Sequence, residues 1–212
     1  MIAIIDYKSG NLSRVESALK KLGYGCMITQ RREEILSCER IVFPGVGAAG
    51  KAIYDLKRLG LDEVLRYEFN AGKPILGICL GAQIILEKSR ENEAECLGLI
   101  KGNVELFPQP LFSEEKDRLK TPHMGWNSVN LRKKHPVLEG ISPEDEFYFV
   151  HAYYTLPASD KYVFGTTCYG IEFASVIGHK NLIAMQFHPE KSGKAGLRLL
   201  ENFCTWDGRH AE

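Results

Sequence analysis

The sequence has no excess charge of either sign and no long apolar run. Its 27 Lys and Arg residues balance 27 Asp and Glu residues, and neither sign forms a block long enough to cover a face. Nucleic acid and a membrane surface are therefore poor candidates for the principal partner. The apolar start of the chain, residues 1–5, lacks a basic leader and is too short for a signal-peptide core. We therefore expect a cytoplasmic protein with no membrane-spanning segment.

The cysteines and histidines are not spaced as metal ligands. The six cysteines contain no C-x-x-C pair, and the histidines do not fall at ligand spacing with cysteine or carboxylate. We expect reduced thiols, no disulfide framework, and neither a metal nor another cofactor. A chain of 212 residues can bury one sizeable core, so we predict a single domain spanning residues 1–212.

The first part of the chain alternates short apolar runs with segments of helical spacing. This alternation predicts an α/β fold with a mainly parallel central sheet flanked by helices. The predicted strands are 2–5, 26–29, 41–43 and 74–78, and the predicted helices are 12–22, a weak one at 33–36, 52–59 and 61–71.

The second part is richer in strand-like segments. Prolines and charges between residues 97 and 129 predict an antiparallel β excursion with an exposed tip. The charged run 88–95 is interpreted as a solvated helix end or loop. Residues 122–127, PHMGWN, fill the core or form an exposed docking rim. The remaining predicted elements are strands at 147–154, 162–167 and 173–177, an extended segment at 182–191, and a helix at 193–203.

The stretch 73–83, KPILGICLGAQ, is the centre of the functional argument. It predicts a strand that turns sharply into a helix with Cys79 at the corner, at a strained positive φ. Gly77 and Gly81 leave room for the neighbouring backbone, and the helix N-terminus favours thiolate over thiol. A small buried hydrophobe is the usual fate of a free cysteine, but the two glycines favour a nucleophile.

A second polar group stands in the apolar segment 182–191, LIAMQFHPEK. Alternate residues of an extended segment share a face, so His188 and Glu190 are expected to project the same way, with Pro189 stiffening the link. A histidine oriented by a carboxylate is the usual partner of an activated thiol. Such a pair alone is commonly a surface ion pair, and the cysteine corner is what favours the catalytic interpretation.

The turn at 44–47, PGVG, follows another predicted strand. Its glycines let the backbone present N–H groups, as an oxyanion hole requires, although the same pattern also suits a simple turn.

These motifs together resemble a known family. GICLG at 77–81, followed by Gln83 and by HPE at 188–190, is similar to the class I, triad-type glutamine amidotransferases, and the similarity runs through nearly the whole chain. The resemblance implies the three-layer fold of that family and the hydrolysis of glutamine to glutamate and ammonia.

The resemblance also implies roles for individual residues. Cys79 would attack the glutamine side chain, His188 would shuttle the proton, and Glu190 would hold the imidazole ring. Backbone N–H groups of the Val46–Gly47 turn and of Leu80 would receive the oxyanion. The residues that would hold the substrate are Gly47, Gln83 and Glu91, with Glu91 on the amino group.

Longer runs resemble one branch of the family, the glutaminase subunits of imidazole glycerol phosphate synthases. This resemblance implies a heterodimer with a (β/α)8 barrel cyclase subunit, which would use the ammonia in histidine biosynthesis, and a turn that rearranges on activation. The runs are 44–47, 122–127, 148–154 and 186–193. The residues that would face the barrel are Asn11, Trp126, Asn127, Tyr148 and Lys191.

Four positions depart from the pattern of that branch, namely Lys8, Ala49, Ala82 and Ala152. They leave open a paralogous glutaminase that feeds ammonia to another synthase, such as one acting on a surface-polysaccharide sugar. A catalytically silent interaction module and, less favoured, a cysteine peptidase are the alternatives from other classes.

Overall fold

The computed structural model describes residues 1–8 and 12–209. Six helices are formed in this part of the chain: α1 Leu12–Lys21, α2 Arg32–Ser37, α3 Ala49–Arg58, α4 Leu61–Asn70, α5 Leu80–Ile84 and α6 Gly193–Thr205. The strands up to residue 106 are β1 Ile2–Ile5, β2 Cys26–Thr29, β3 Arg40–Gly45, β4 Ile75–Cys79, β5 Lys88–Ser89, β6 Ala94–Glu95 and β7 Gly102–Leu106. The later strands are β8 Leu111–Phe112, β9 Arg118–Leu119, β10 His123–Ser128, β11 Asn130–Leu131, β12 Glu146–His151, β13 Tyr153–Pro157, β14 Val163–Tyr169, β15 Ile171–His179 and β16 Leu182–Met185.

The central sheet has a parallel half that carries the predicted nucleophile. Its strands lie in the order β2-β1-β3-β4-β16, and every neighbouring pair is parallel. The order continues through β15-β13-β7-β5-β6, where most pairs are antiparallel, and β14 joins β15 and β11. The change of direction occurs between β16 and β15, one strand beyond β4.

Alternate residues of the parallel strands face opposite sides of this sheet. In β1, Ala3 and Ile5 belong to one buried cluster, whereas Ile2 and Ile4 belong to the other. Helices α2 to α5 contribute to the first cluster, and α1 and α6 contribute to the second. The sheet is thus covered by helices on both faces, which confirms the predicted three-layer α/β fold.

The antiparallel excursion forms largely as expected. Strands β8 and β9 pair as a short antiparallel ribbon, and residues 114–118 between and within them are exposed. Strand β7 instead joins the central sheet. A second separate ribbon pairs β10 with β12.

Two expectations about local structure are wrong. The charged run 88–95 is not a plain loop or helix end, because β5 and β6 pair with each other and β5 pairs with β7 at the sheet edge. The run 147–154 is not one strand: it divides at Ala152, where the chain leaves the β10–β12 ribbon and enters the central sheet as β13. Strand propensity does not reveal this division, because it says nothing about the pairing partner. Over residues 1–8 and 12–209, no helix has the length and apolar character needed to cross a membrane.

Candidate active site

Cys79 occupies a strained corner at the end of β4. Its backbone has φ 53° and ψ −108°, a conformation that side-chain-bearing residues seldom adopt. A Cβ at Gly77 would lie 2.8 Å from the Cβ of Ala184, and one at Gly81 would overlap the carbonyl oxygen of Phe43. The predicted corner, its positive φ and the need for both glycines are therefore confirmed.

The helix after the corner is short. α5 contains five residues, and Cys79 itself is 7% exposed. So short a helix aligns few peptide dipoles, and its help to a thiolate at position 79 is correspondingly small. Buried charge at Cys79 must therefore depend mainly on its neighbours.

His188 and Glu190 form a buried hydrogen-bonded pair. Nδ1 of His188 lies 2.8 Å from Oε1 of Glu190, and the two side chains are 1% and 0% exposed. The two side chains meet as expected, but the predicted extended backbone is wrong. Pro189–Lys191 is a tight 3-10 turn, and this turn brings the carboxylate to the ring. Because Nδ1–H donates to the carboxylate, Nε2 is the atom left for reaction chemistry. Nε2 is buried and makes no hydrogen bond of ordinary geometry with the described residues.

The pKa of His188 is strongly perturbed. Burial alone would lower it, but interactions with the Cys79 thiolate and with Glu190 outweigh burial and raise the pKa of His188 to about 9. His188 is therefore an imidazolium at neutral pH when Cys79 is a thiolate. The arrangement places an imidazolium, with a carboxylate behind it, beside the side chain of Cys79.

The strand register places the predicted oxyanion turn beside the cysteine. Gly45, the last residue of β3, lies opposite Cys79 in the parallel ladder, so Val46 and Gly47 follow immediately next to the corner. Gly47 has φ 99°, and Val46 is 37% exposed. Leu80 follows Cys79 directly, so the structure brings all three predicted oxyanion residues to one place.

Two predicted substrate residues flank this turn. Glu91 accepts a hydrogen bond through Oε2 from the backbone N–H of Ala49 at 2.7 Å, where α3 begins just after the turn. Gln83 is buried behind the corner, and its Nε2 donates to the carbonyl oxygen of Tyr153 at 2.9 Å. Glu91, which lies within a charged run, is thus anchored at the edge of the site.

Three of the predicted partner residues form one connected surface. Trp126 is 53% exposed and its ring centroid lies 6.0 Å from that of Tyr148, while Nζ of Lys191 lies 5.6 Å from the centroid of Tyr148. This exposure agrees with the docking-rim interpretation of residues 122–127. Asn127 is only half exposed, and its amide donates to the carbonyl oxygen of Cys168. Asn11 lies outside the described residues.

Backbone hydrogen bonds hold the His188 turn against this surface. The His188 N–H donates to the carbonyl oxygen of Tyr148 at 2.9 Å. Oγ of Ser192 donates to the carbonyl oxygen of His188 at 2.6 Å and accepts from the N–H of Tyr148 at 3.0 Å. The candidate base and the surface that carries Trp126 therefore share one support.

Sequence reasoning missed a buried glutamine at the site. Gln186 is 1% exposed, and its Nε2 lies 3.9 Å from Sγ of Cys79. A polar residue that closes the apolar run 182–185 was the available signal.

The departure at Lys8 is also visible, since Lys8 adopts φ 67°, a conformation that glycine takes without strain. Over residues 1–8 and 12–209, no group of three or more His, Cys, Asp or Glu side chains is placed to hold a metal ion.

A family model described as Glutamine amidotransferase class-I matches residues 3–206. The chain belongs to the class-I glutamine amidotransferase family. This amidotransferase is 50% identical over 208 residues to the imidazole glycerol phosphate synthase subunit HisH of Nitratidesulfovibrio vulgaris, with 97% of each chain covered. It is 45% identical over 218 residues to the subunit HisH of Desulfovibrio desulfuricans, with 100% of each chain covered.

A solved structure carries the same fold. The amidotransferase superposes on a structure described as PurLQS from Thermotoga maritima with a TM-score of 0.74 at 16% identity, covering 96% of each chain. At that identity the likeness speaks to the fold alone. It agrees with the class-I amidotransferase architecture inferred from the sequence.

Proposed function

We propose that this amidotransferase is the glutaminase subunit of an imidazole glycerol phosphate synthase, and that it supplies ammonia for histidine biosynthesis. The observation that carries the proposal is the buried hydrogen bond between His188 and Glu190 beside Cys79 at its strained corner. Relatives that bear the synthase-subunit name match the chain from end to end at 45–50% identity. The geometry of the site supports the proposed chemistry, and the identity to these relatives supports the proposed pathway.

The first half of the reaction forms a thioester. The Cys79 thiolate attacks the side-chain amide carbon of glutamine, and the carbonyl oxygen becomes an oxyanion. This oxyanion accepts hydrogen bonds from the backbone N–H groups of Leu80 and the Val46–Gly47 turn. The carbon–nitrogen bond then breaks, and His188 gives its proton to the nitrogen, which leaves as ammonia. His188 can do this at neutral pH because its raised pKa keeps it protonated.

The second half regenerates the thiolate. Neutral His188 takes a proton from water, whose oxygen attacks the thioester carbon, and glutamate leaves as the carbon–sulfur bond breaks. Glu190 holds the ring so that Nε2 faces the reacting atoms throughout. Glu91 would hold the amino group of the substrate, and Gly47 and Gln83 would complete its pocket.

Replacement of the nucleophile tests the chemistry. We expect Cys79→Ala to lower the rate of glutamine hydrolysis by about 10⁴-fold or more, as loss of a nucleophile does in other triads. Circular dichroism would check that the fold is retained. Cys204→Ala is the matched control, because Cys204 is also buried but lies in α6. Hydrolysis at the wild-type rate in Cys79→Ala would overturn the proposal.

Reconstitution tests the partner. The proposed partner is a (β/α)8 barrel cyclase subunit, which would dock over Trp126, Tyr148 and Lys191. Glutaminase activity is expected to be low in the isolated chain and to rise when the barrel and its ribulosyl substrate are added, if the 44–47 turn must rearrange. Absence of a complex and of stimulation would favour another ammonia acceptor, such as an enzyme of surface-polysaccharide sugars.

A pair of exposed aromatic residues sharpens that experiment. Trp126→Ala is expected to weaken barrel binding by about 2 kcal/mol, as aromatic anchors at interfaces commonly do. Tyr67→Ala is the control, since Tyr67 is 58% exposed on α4 in the opposite helical layer. Equal affinities for the two variants in isothermal titration calorimetry would place the barrel elsewhere.

The proposal includes a cytoplasmic location. All six cysteines are free. Persisting free thiols suit a reducing compartment.

A further inference from the structure

The amide of Gln186 has a defined direction at the active site. Its Oε1 accepts a hydrogen bond from Nε2 of Gln83 at 3.1 Å. Its Nε2 therefore turns the other way, toward Sγ of Cys79 at 3.9 Å. A buried N–H donor thus points at the atom that must carry negative charge.

The donor direction of Gln83 is fixed as well. Nε2 of Gln83 donates both to Gln186 and to the carbonyl oxygen of Tyr153, at 3.1 Å and 2.9 Å. Rotating the Gln83 amide would set its oxygen against two other acceptors in a buried site, which is unfavourable. The orientation of Gln186 therefore depends on the Tyr153 carbonyl.

A buried histidine pair meets the same carbonyl. Nδ1 of His151 lies 2.8 Å from the oxygen of Tyr153, so Nδ1 carries the proton and Nε2 of His151 is an acceptor. Nδ1 of His123 lies 3.1 Å from that Nε2 and is its donor. Nε2 of His123 then accepts from the amide of Asn127 at 3.4 Å. Each assignment follows from the Tyr153 carbonyl, which can only accept. It receives hydrogen bonds from His151 on one side and from Gln83 on the other, so the donors converge on it from both sides.

Both histidines must be neutral for this chain to exist. Burial lowers the pKa of His123 to about 4 and that of His151 to about 3. A second proton on either ring would set two N–H groups against each other. The chain is therefore intact throughout the range in which a glutaminase works.

We propose that Gln186 is a positioning residue that donates a hydrogen bond to the Cys79 thiolate, within a chain of hydrogen bonds centred on the Tyr153 carbonyl. Gln83, bound to that carbonyl, fixes the orientation of Gln186, and the histidine pair holds the carbonyl in place from the other side. The members of the chain are, in order, Asn127, His123, His151, the Tyr153 carbonyl, Gln83 and Gln186. The inference rests on the proposed function in that Cys79 is taken as the nucleophile. It links the inner face of β10, whose outer face carries Trp126, to the reacting sulfur.

Alkylation of Cys79 tests the contact in the full chain without substrate or partner. Iodoacetamide reacts with the thiolate, and mass spectrometry of the Cys79 peptide gives the rate at each pH. His188 interacts directly with Cys79, and Glu190 lies behind His188, so both remain unchanged in every variant. Gln186→Met keeps the length of the side chain but removes the donor. We expect the alkylation profile of Gln186→Met to be displaced upward by about one pH unit, so that alkylation on its acidic limb is about tenfold slower, since a hydrogen bond to a charged group is lost.

A second variant at the same position separates donation from packing. Gln186→Glu can still accept from Gln83, but its carboxylate repels the thiolate, so we expect a larger displacement than in Gln186→Met. In glutamine hydrolysis, Gln186→Met is expected to lower kcat with little change in KM. A wild-type alkylation profile in Gln186→Met would overturn the positioning role.

The histidine part of the chain has its own test. His151→Phe keeps an aromatic ring among Phe107 and Phe173 but breaks the chain. We expect alkylation to be about two- to threefold slower than in the wild-type protein. This effect is smaller than that of losing the hydrogen bond to the thiolate itself. Phe173→Leu disturbs the same cluster and leaves every member of the chain in place, so its profile is expected to match the wild type. Equal alkylation profiles for His151→Phe and Phe173→Leu would show that the histidines do not help to position Gln186.

Nuclear magnetic resonance keeps this part testable if His151→Phe does not fold. Nitrogen-15 shifts of the wild-type protein at pH 5.5 are expected to show His123 and His151 as neutral rings protonated at Nδ1. A charged ring, or a ring protonated at Nε2, would contradict the chain. If Cys79→Ala abolishes hydrolysis while Gln186→Met alkylates normally, this inference fails alone. If Cys79→Ala retains hydrolysis, the proposed function fails first.

Discussion

His188 keeps a proton although its ring is buried. Burial disfavours that proton, yet Cys79 and Glu190 raise the pKa of His188 to about 9. The group is therefore protonated at neutral pH, as the proposed transfer of a proton to departing ammonia requires. As the pH rises through about 9 the proton is lost, so the rate of thioester formation is expected to fall on the alkaline side.

Removing the carboxylate charge should move this alkaline limb. In Glu190→Gln one of the influences that raise the pKa of His188 is lost, so the fall in kcat/KM is expected to begin at lower pH. The rate at its maximum should also fall by about 10²-fold, because the ring loses its orienting partner. Measured pH profiles of glutamine hydrolysis would check both effects. Glu172→Gln, which alters a surface carboxylate paired with Arg132 and the Thr166 hydroxyl, is expected to keep the wild-type profile. An unshifted limb in Glu190→Gln would contradict the assignment.

Some residues of the site can be predicted from sequence because their signal is local. Gly77 and Gly81 report the lack of space around a corner, and the spacing of His188 and Glu190 reports a pair. Gln186 cannot be found in this way, because its role depends on a neighbour, Gln83, more than 100 positions away. The roles assigned to the triad, oxyanion and substrate residues stay predictions until the variants are assayed.

At the scale of elements, the corner between β4 and α5 is held by close packing on β3. The helix can lie over the sheet only because Gly81 presents no side chain to the carbonyl oxygen of Phe43. The strand register places Gly45 opposite Cys79 in the same ladder. Nucleophile and oxyanion turn therefore move together if this packing changes.

A methyl group at the corner is the corresponding test. Gly81→Ala would force a Cβ into the backbone of Phe43, and we expect it to destabilise the protein by about 3 kcal/mol or more, the upper range for overpacking. Gly25→Ala is the matched control, because the nearest atoms to its added Cβ are Sδ and Cε of the flexible Met1 side chain at 3.4 and 3.5 Å. Urea denaturation and soluble yield would measure both variants. Equal stabilities of the two variants would contradict this expectation, because they would show that the corner has room for a Cβ at position 81.

Element prediction succeeded where the signal was apolar and local. The runs at 2–5 and 26–29 became strands with the same bounds. The division of the 147–154 run at Ala152 was missed, because the two halves pair with strands that are distant in sequence. The Pro189–Lys191 turn was missed because it lies in the short connection between strand β16 and helix α6, where a few residues carry no periodic signal.

At the scale of the whole molecule, the buried histidine pair makes stability depend on acid. The ordinary pKa of histidine is 6.5, whereas burial lowers the pKa of His123 to about 4 and that of His151 to about 3. As the pH falls below 6.5, the unfolded chain takes up protons that the folded chain resists. The stabilisation present above pH 6.5 is therefore lost progressively as the pH falls toward 4 and 3.

Urea denaturation at pH 7 and pH 5 would measure this loss. The slope should approach about 1.4 kcal/mol per pH unit for each histidine. His151→Phe is expected to lose about half of the slope, and Phe173→Leu is expected to keep all of it while being less stable at both values. The same slope in the wild type and in His151→Phe would show that the histidine titrates normally.

Fold class and family were predictable at this scale, because the α/β alternation and the GICLG and HPE motifs are spread along the chain. The sheet's antiparallel half was not predictable in detail, since its pairings are set by contacts distant in sequence. That residues 1–212 form a single domain stays a prediction.

The bond between the His188 N–H and the Tyr148 carbonyl has a practical consequence. Within the described chain, β12 forms a ladder only with β10, so this bond ties the ribbon that carries Trp126 to the turn that carries His188 and Glu190. The deuterium uptake of that one amide reports whether the ribbon is seated, with no substrate turning over. A partner that holds the ribbon in place would slow deuterium uptake at this amide, and a partner that displaces the ribbon would speed the uptake. Deuterium exchange at the His188 amide would therefore report docking at the adjoining surface that carries Trp126 and Tyr148.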